Sequence, residues 1–119
     1  MKRPEENLHR QVAAWLRAAC PDLLWYHPAN GGARSRVEGA IFKALGVRAG
    51  TPDLAIVLPG GRAAFIELKA DRGRQSPAQQ AFEADALACG ALYAVCRSLA
   101  EVEAMLTGWG VQPRGRIAA

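Results

Sequence analysis

The strongest constraint on this chain is the Pro59-Gly60-Gly61 turn between two short apolar runs, Leu54-Ala55-Ile56-Val57-Leu58 and Ala63-Ala64-Phe65-Ile66-Glu67-Leu68. Side chains alternate between faces along a strand. Leu54, Ile56 and Leu58 therefore share one apolar face, and Ala64, Ile66 and Leu68 share another. Both faces can meet a single core only if paired residues have numbers summing to an even value. A three-residue loop closing Leu58 opposite Arg62 meets that condition, with Gly60 or Gly61 supplying the left-handed position such a loop needs. The resulting register sets Leu54 against Ile66 and, one step further, Asp53 against Glu67.

The opposite face of this hairpin carries the chemistry. Phe65, Glu67 and Lys69 lie on it, and Asp53 opens the neighbouring strand on the same side. Directly opposed residues have Cβ atoms about 4.5–5.5 Å apart, where two like charges repel. A bridging divalent cation removes that penalty, since magnesium favours one or two carboxylates together with water and phosphate oxygens. A lysine two residues from one carboxylate completes an arrangement suited to phosphodiester cleavage. The alternative is a solvated outer face, on which two acids and a lysine do no chemistry.

Gly50-Thr51-Pro52-Asp53 followed by Ile66-Glu67-Leu68-Lys69 resembles the PD-(D/E)xK nuclease superfamily, and more closely its VRR-NUC branch. The likeness extends over most of the chain. It takes in Glu5-Glu6-Asn7-Leu8-His9, His27-Pro28-Ala29-Asn30-Gly31-Gly32, Ser76-Pro77-Ala78-Gln79 and Gly90-Ala91-Leu92-Tyr93-Ala94-Val95. The resemblance implies a magnesium or manganese site with Asp53 and Glu67 as ligands and the Leu68 carbonyl as a further donor. It also implies that Lys69 acts on the attacking water and the scissile phosphate. A glutamate of the first helix would join them. Leu8, Val12, Trp15, Leu16 and Ala19 define that helix's inward face. Glu5 falls on it, whereas Glu6 is turned about 100° away. Glu5 is the favoured candidate; ordinary first-turn acids favoured by the helix dipole are the alternative for both.

Gln79 has two readings. The resemblance places it in the active site, on the helix that follows the lysine strand. Ser76-Pro77-Ala78-Gln79 is equally a helix start, with Ser76 as N-cap, Pro77 in the first turn and Gln79 completing a capping box.

The length suits one domain, placed at residues 1–111 with a tail over 112–119. Helices are expected from Glu5 to Ala19, Glu38 to Leu45 and Pro77 to Cys89, and after Ser98, where Glu101 holds the capping-box position. Strands are expected over Leu23–His27, in the two runs of the hairpin and over Ala91–Cys96. The fold class is α/β, a restriction-endonuclease-like core with a small mixed sheet flanked by helices, in the order α-β-β-β-α-β with a terminal helix.

The formal net charge is +4, and its placement is informative. Arg34, Arg36, Lys43 and Arg48 precede the first signature, and Arg72 and Arg74 follow the second. Cations there can track a phosphate backbone without reading sequence. Asn30 sits in a Gly-rich stretch that either offers amides to a phosphate or simply turns the chain. The expected partner is DNA, branched or duplex. Analogy with junction resolvases adds a homodimer. A silent DNA-structure-binding module and a sequence-specific endonuclease of the same fold are the rival readings. No phosphate-loop motif, membrane span or signal peptide is present, which points away from a nucleotide cofactor and a membrane and toward the cytoplasm. Cys20, Cys89 and Cys96 read as buried thiols, Trp15 and Trp25 as core, and His9 and His27 as isolated side chains that make no zinc site.

Overall fold

A computed structural model describes residues 3–29 and 35–115. The elements run α1 (Pro4–Ala19), β1 (Leu24–Tyr26), α2 (Arg36–Ala44), β2 (Leu54–Val57), β3 (Ala63–Leu68), α3 (Pro77–Ala88), β4 (Leu92–Cys96) and α4 (Leu99–Gly108). This is the expected order, with β1 shortened by a residue at each end and α2 beginning two residues early. The early start has a local cause. Ser35 accepts the Glu38 amide while Glu38 accepts the Ser35 amide, a capping box worth about 1 kcal/mol.

The sheet order is β1-β2-β3-β4, antiparallel for the first two pairings and parallel for β3 with β4. The hairpin register is the one required by its two apolar faces. Leu54 pairs with Ile66, and the Leu58 amide donates to the Arg62 carbonyl at 2.9 Å. Gly60 and Gly61 both take positive φ, 97° and 95°, so the loop uses both of its glycines in a conformation that side chains resist. The parallel β3–β4 step requires a crossover, which α3 provides.

Two layers cover the sheet. On the apolar side, Leu54, Ile56, Leu58, Ala64, Ile66 and Leu68 meet Val12 and Leu16 of α1 and Val102 and Leu106 of α4. Leu8, Trp15, Trp25 and Trp109 pack around this core, partly buried. On the other side, Phe82 of α3 stands edge-on to Phe65 with ring centroids 5.1 Å apart and lies beside Tyr93. The second face of β3 is therefore roofed rather than solvated, and Glu67 is wholly buried.

Two local expectations change. Cys20 and Cys96 are buried, but Cys89 is exposed because it caps the end of α3, past the last residue that helix buries. Ser98 caps α4 by accepting the Glu101 amide, yet the Glu101 carboxylate accepts from Arg97 N–H instead of closing the box on Ser98. Among the described residues, no helix is long and apolar enough to cross a membrane.

Candidate active site

The site begins with the backbone around Asp53. Gly50 has φ of 77°, and a Cβ there would lie 2.4 Å from the Ala78 carbonyl carbon and 2.7 Å from the Gln79 nitrogen. The chain entering β2 is thus pressed against the first turn of α3, at a distance only glycine tolerates. Pro52 follows, fully buried. Asp53 then extends its carboxylate to the neighbouring strand, where Oδ2 accepts the Leu68 amide at 2.7 Å. That bond fixes one oxygen and leaves Oδ1 for other partners.

Glu67 is the next side chain on the facing strand. Tyr93 Oη donates to its Oε1 at 2.5 Å. Its Oε2 is buried without a hydrogen-bond partner among the described residues, 3.7 Å from Lys69 Nζ. Burying a carboxylate costs several kcal/mol unless charge or hydrogen bonds compensate, so this oxygen is placed for a cation. Lys69, 8% exposed, is tied at its backbone to the parallel strand through its amide and the Cys96 carbonyl.

Glu5 and Glu6 separate as helix geometry requires. Glu6 accepts from Arg10 Nη2 at 3.1 Å and stands beside Arg3. Glu5 Oε2 instead lies 2.9 Å from the point where a Cβ on Gly73 would stand, and Lys69 Cδ lies 3.4 Å from that same point. The loop presenting Gly73 is clamped by Arg97, whose Nη1 donates to the carbonyls of Ala70, Asp71 and Gly73 at 3.3, 3.0 and 2.9 Å. Gln79 forms its capping box, with Oε1 accepting the Ser76 amide at 2.8 Å. Its oxygen is therefore committed to the helix start, and its amide group is what remains for a site.

The fold also brings together side chains that the sequence separates. His9 and His27 are not isolated. Their rings meet edge to face at 4.5 Å, with His9 Nδ1 3.9 Å from Asp53 Oδ1 and His27 Nδ1 2.7 Å from the Asp53 carbonyl. Burial, ahead of the opposing pull of Asp53, holds the His9 pKa below its ordinary value. The spacing of Glu5 and His9, four apart and so on one helix face, was the available signal for His9. The role of Tyr93 follows from its parallel register, in which it pairs with Phe65 two residues before Glu67. Burial, then the bond to Glu67, pushes its hydroxyl far above the ordinary range, so it remains a donor.

The cations do not all stand ready for a ligand. Arg48 Nη2 binds Asp85 at 2.7 Å and its guanidinium lies 5.0 Å from the centre of the Phe82 ring, a structural role on α3. Arg36, Lys43, Arg72 and Arg74 are exposed. Asn30 and Arg34 lie outside the described residues.

A divalent ion fits these groups: a buried carboxylate oxygen without a hydrogen-bond partner, a second carboxylate on the adjoining strand and an ammonium beside them. Comparison with solved structures shows the same fold in a VRR_NUC domain protein, with TM-score 0.72 and 22% identity over 92% of this chain and 90% of that one. A second, described as a VRR_NUC domain, has TM-score 0.63 and 21% identity over 91% of this chain and 99% of that one. A search of curated proteins gave no match. The model of the VRR-NUC domain family matches residues 3–100, and the chain belongs to that family, a branch of the PD-(D/E)xK nucleases.

Proposed function

We propose that this protein is a metal-dependent DNA endonuclease whose reaction centre is Asp53, Glu67 and Lys69, carried by one domain over residues 1–111. The observation that carries this reading is the buried Glu67 Oε2, which has no hydrogen-bond partner among the described residues and faces Lys69 Nζ at 3.7 Å.

Asp53 and Glu67, with the Leu68 carbonyl and Glu5 as further donors, would hold a magnesium or manganese ion, which would supply Lewis acidity toward the scissile phosphate and the attacking water. The chain's own groups do the rest. Tyr93 and the Leu68 amide each hold one oxygen of a site carboxylate, so the two acids are oriented before substrate arrives. Lys69 places positive charge where negative charge grows on the phosphate, a contact most effective when its position is fixed in advance. The amide group of Gln79 is the part of that side chain left to meet substrate at the start of α3. Arg36, Lys43, Arg72 and Arg74 supply cations for the flanking backbone, with Asn30 and Arg34 assigned there from the sequence.

A preference for branched DNA and a homodimer rest on the resemblance to junction resolvases. Val37, Ile41 and Leu45, spaced four apart on α2 and just beyond it, are 70%, 53% and 74% exposed. This apolar stripe is the surface that suits a second copy.

The test is incubation of junction, flap, single-stranded and duplex DNA with the protein and manganese, magnesium or EDTA, beside a folded Lys69→Ala variant. Cleavage that needs the ion and Lys69 is expected. Tight binding without cleavage in either metal, equal in both proteins, would leave only a DNA-binding module.

A further inference from the structure

Beside the carboxylate pair lies a second set of donors that the proposed chemistry does not use. His9 comes from the first half of α1, His27 from just past the end of β1 and Asp53 from the entry to β2. One ligand atom from each lies within 4.8 Å of the other two. Bonds to a first-row ion of about 2.1 Å place two ligands at most about 4.2 Å apart. The 3.9 Å between His9 Nδ1 and Asp53 Oδ1 falls within that limit, and rotation of the imidazole rings about their side-chain bonds is what brings all three donors around one ion.

A further observation sets the chemistry of the donors. The Asp53 carbonyl can only accept, so the 2.7 Å contact makes His27 Nδ1 the protonated nitrogen. The other ring nitrogen of His27 then carries the lone pair that a metal requires. A backbone carbonyl fixing the tautomer of a ligand histidine is the usual outer support of such sites. Asp53 Oδ2 holds the Leu68 amide, but a carboxylate has about four acceptor positions, so Asp53 can serve both the histidine side and the Glu67 side. The rings also border an open cleft lined by Glu6, Arg10, Ala13 and Arg17, through which an ion can enter.

We propose that His9, His27 and Asp53 form a transition-metal subsite adjoining the Asp53–Glu67 pair. Imidazole donors suit zinc, nickel, iron and copper, and manganese accepts them more readily than magnesium, which prefers oxygen alone. The subsite therefore biases this protein toward transition metals. It rests on the nuclease reading only through Asp53, the residue shared by both sites.

The experiment uses the full chain and manganese alone, without DNA. Pulsed electron paramagnetic resonance of the bound ion reports directly whether nitrogen is coordinated. Nitrogen modulation is expected in the wild type and in Glu67→Gln. It should be lost in His9→Ala/His27→Ala, with manganese affinity weaker by about tenfold or more. Both variants are first checked for native thermal unfolding. Absence of nitrogen modulation in the wild type, its survival in the double histidine variant, or no binding of manganese at all would overturn the subsite. DNA cleavage measured separately distinguishes the two ideas. Cleavage without a nitrogen signal removes the subsite and keeps the nuclease, whereas a nitrogen signal without cleavage does the reverse.

Discussion

Tyr93 holds Glu67 from the adjacent parallel strand, its hydroxyl 2.5 Å from Oε1, while Oε2 of the same carboxylate meets no hydrogen-bond donor among the described residues. The tyrosine thus decides which oxygen of Glu67 is left for a cation. Removing the hydroxyl in Tyr93→Phe leaves both oxygens without a hydrogen bond from the described residues. The expected stability cost is about 1–3 kcal/mol, the penalty for an abandoned buried acceptor. Metal affinity should fall about 10- to 100-fold, as when the outer partner of a ligand is lost. A manganese titration of cleavage checks this. The half-saturating concentration should rise while the rate at saturation returns toward wild type, a split that loss of folding alone would not produce.

The Glu67–Lys69 pair makes a second prediction, about stability in EDTA. The side chains are 0% and 10% exposed, so removing the lysine leaves a buried carboxylate without its countercharge. Lys69→Ala should cost about 3 kcal/mol, the low end for a buried pair because 3.7 Å is longer than a hydrogen bond. Glu67→Gln should cost less, since the amide oxygen can still accept from Tyr93 and the Lys69 ammonium left behind, on a flexible side chain 10% exposed, can reach water where the carboxylate cannot. Manganese should raise the melting temperature of Lys69→Ala markedly and that of Glu67→Gln little. Equal shifts in the two variants would remove Glu67 from the set of metal ligands.

Much of this arrangement is legible from local rules. The hairpin register follows from two alternating faces and a glycine turn, and it alone brings Asp53 and Glu67 to opposing positions. Ser76 and Gln79 sit in their cap because a capping box is closed within four residues. The unread features join elements distant in sequence. His9 and His27 lie eighteen residues apart and meet only because α1 and the end of β1 converge on Asp53. Arg48 is thirty-seven residues from Asp85, and nothing in its own neighbourhood foretells that ion pair. The clamp of Arg97 on the Ala70–Gly73 carbonyls depends in the same way on the parallel pairing of β3 and β4. Side-chain periodicity assigns faces; it does not say which faces of remote elements meet.

The thiols and Tyr93 give a prediction for alkaline pH. Burial raises the pKa of Cys96 from 9.0 to about 11 and that of Cys20 in the same direction, each helped by a nearby glutamate. Tyr93 is raised as well, by burial and then by Glu67. A group whose folded-state pKa is raised adds stability that is complete below its unfolded value and lost as pH climbs through the folded one. For Cys96 the loss falls between about 9 and 11. Urea midpoints should therefore decline across that window. Below it, a thiol reagent should modify one cysteine rapidly, the exposed Cys89, while Cys20 and Cys96 react only after unfolding. Fast reaction of two or more thiols in native protein would contradict the packing of α1 and β4.

Two glycines near the site should fail in different ways. At Gly50 the φ of 77° and backbone atoms of Ala78 at 2.4 and 2.5 Å leave a methyl group no room. Gly50→Ala must therefore strain the chain or push β2 away from α3. A loss of more than about 2 kcal/mol is expected, from backbone strain and overpacking together. At Gly73 no positive φ stands in the way; the nearest atom to a new Cβ is Glu5 Oε2 at 2.9 Å, the end of a flexible side chain, and the Ala70 carbonyl oxygen follows at 3.1 Å. Gly73→Ala should remain folded, losing about 1–2 kcal/mol as Glu5 swings aside and the Ala70 carbonyl gives by a few tenths of an ångström. If Glu5 is a donor at the site, that movement weakens metal-dependent cleavage, and Glu5→Gln should weaken it similarly, without a further loss in the double variant. Denaturant midpoints and cleavage rates on the four proteins decide the matter. Additive losses for the Gly73 and Glu5 changes would mean that the loop acts on the reaction by another route, and a native-like Gly50→Ala would mean that β2 and α3 are not locked together at that contact.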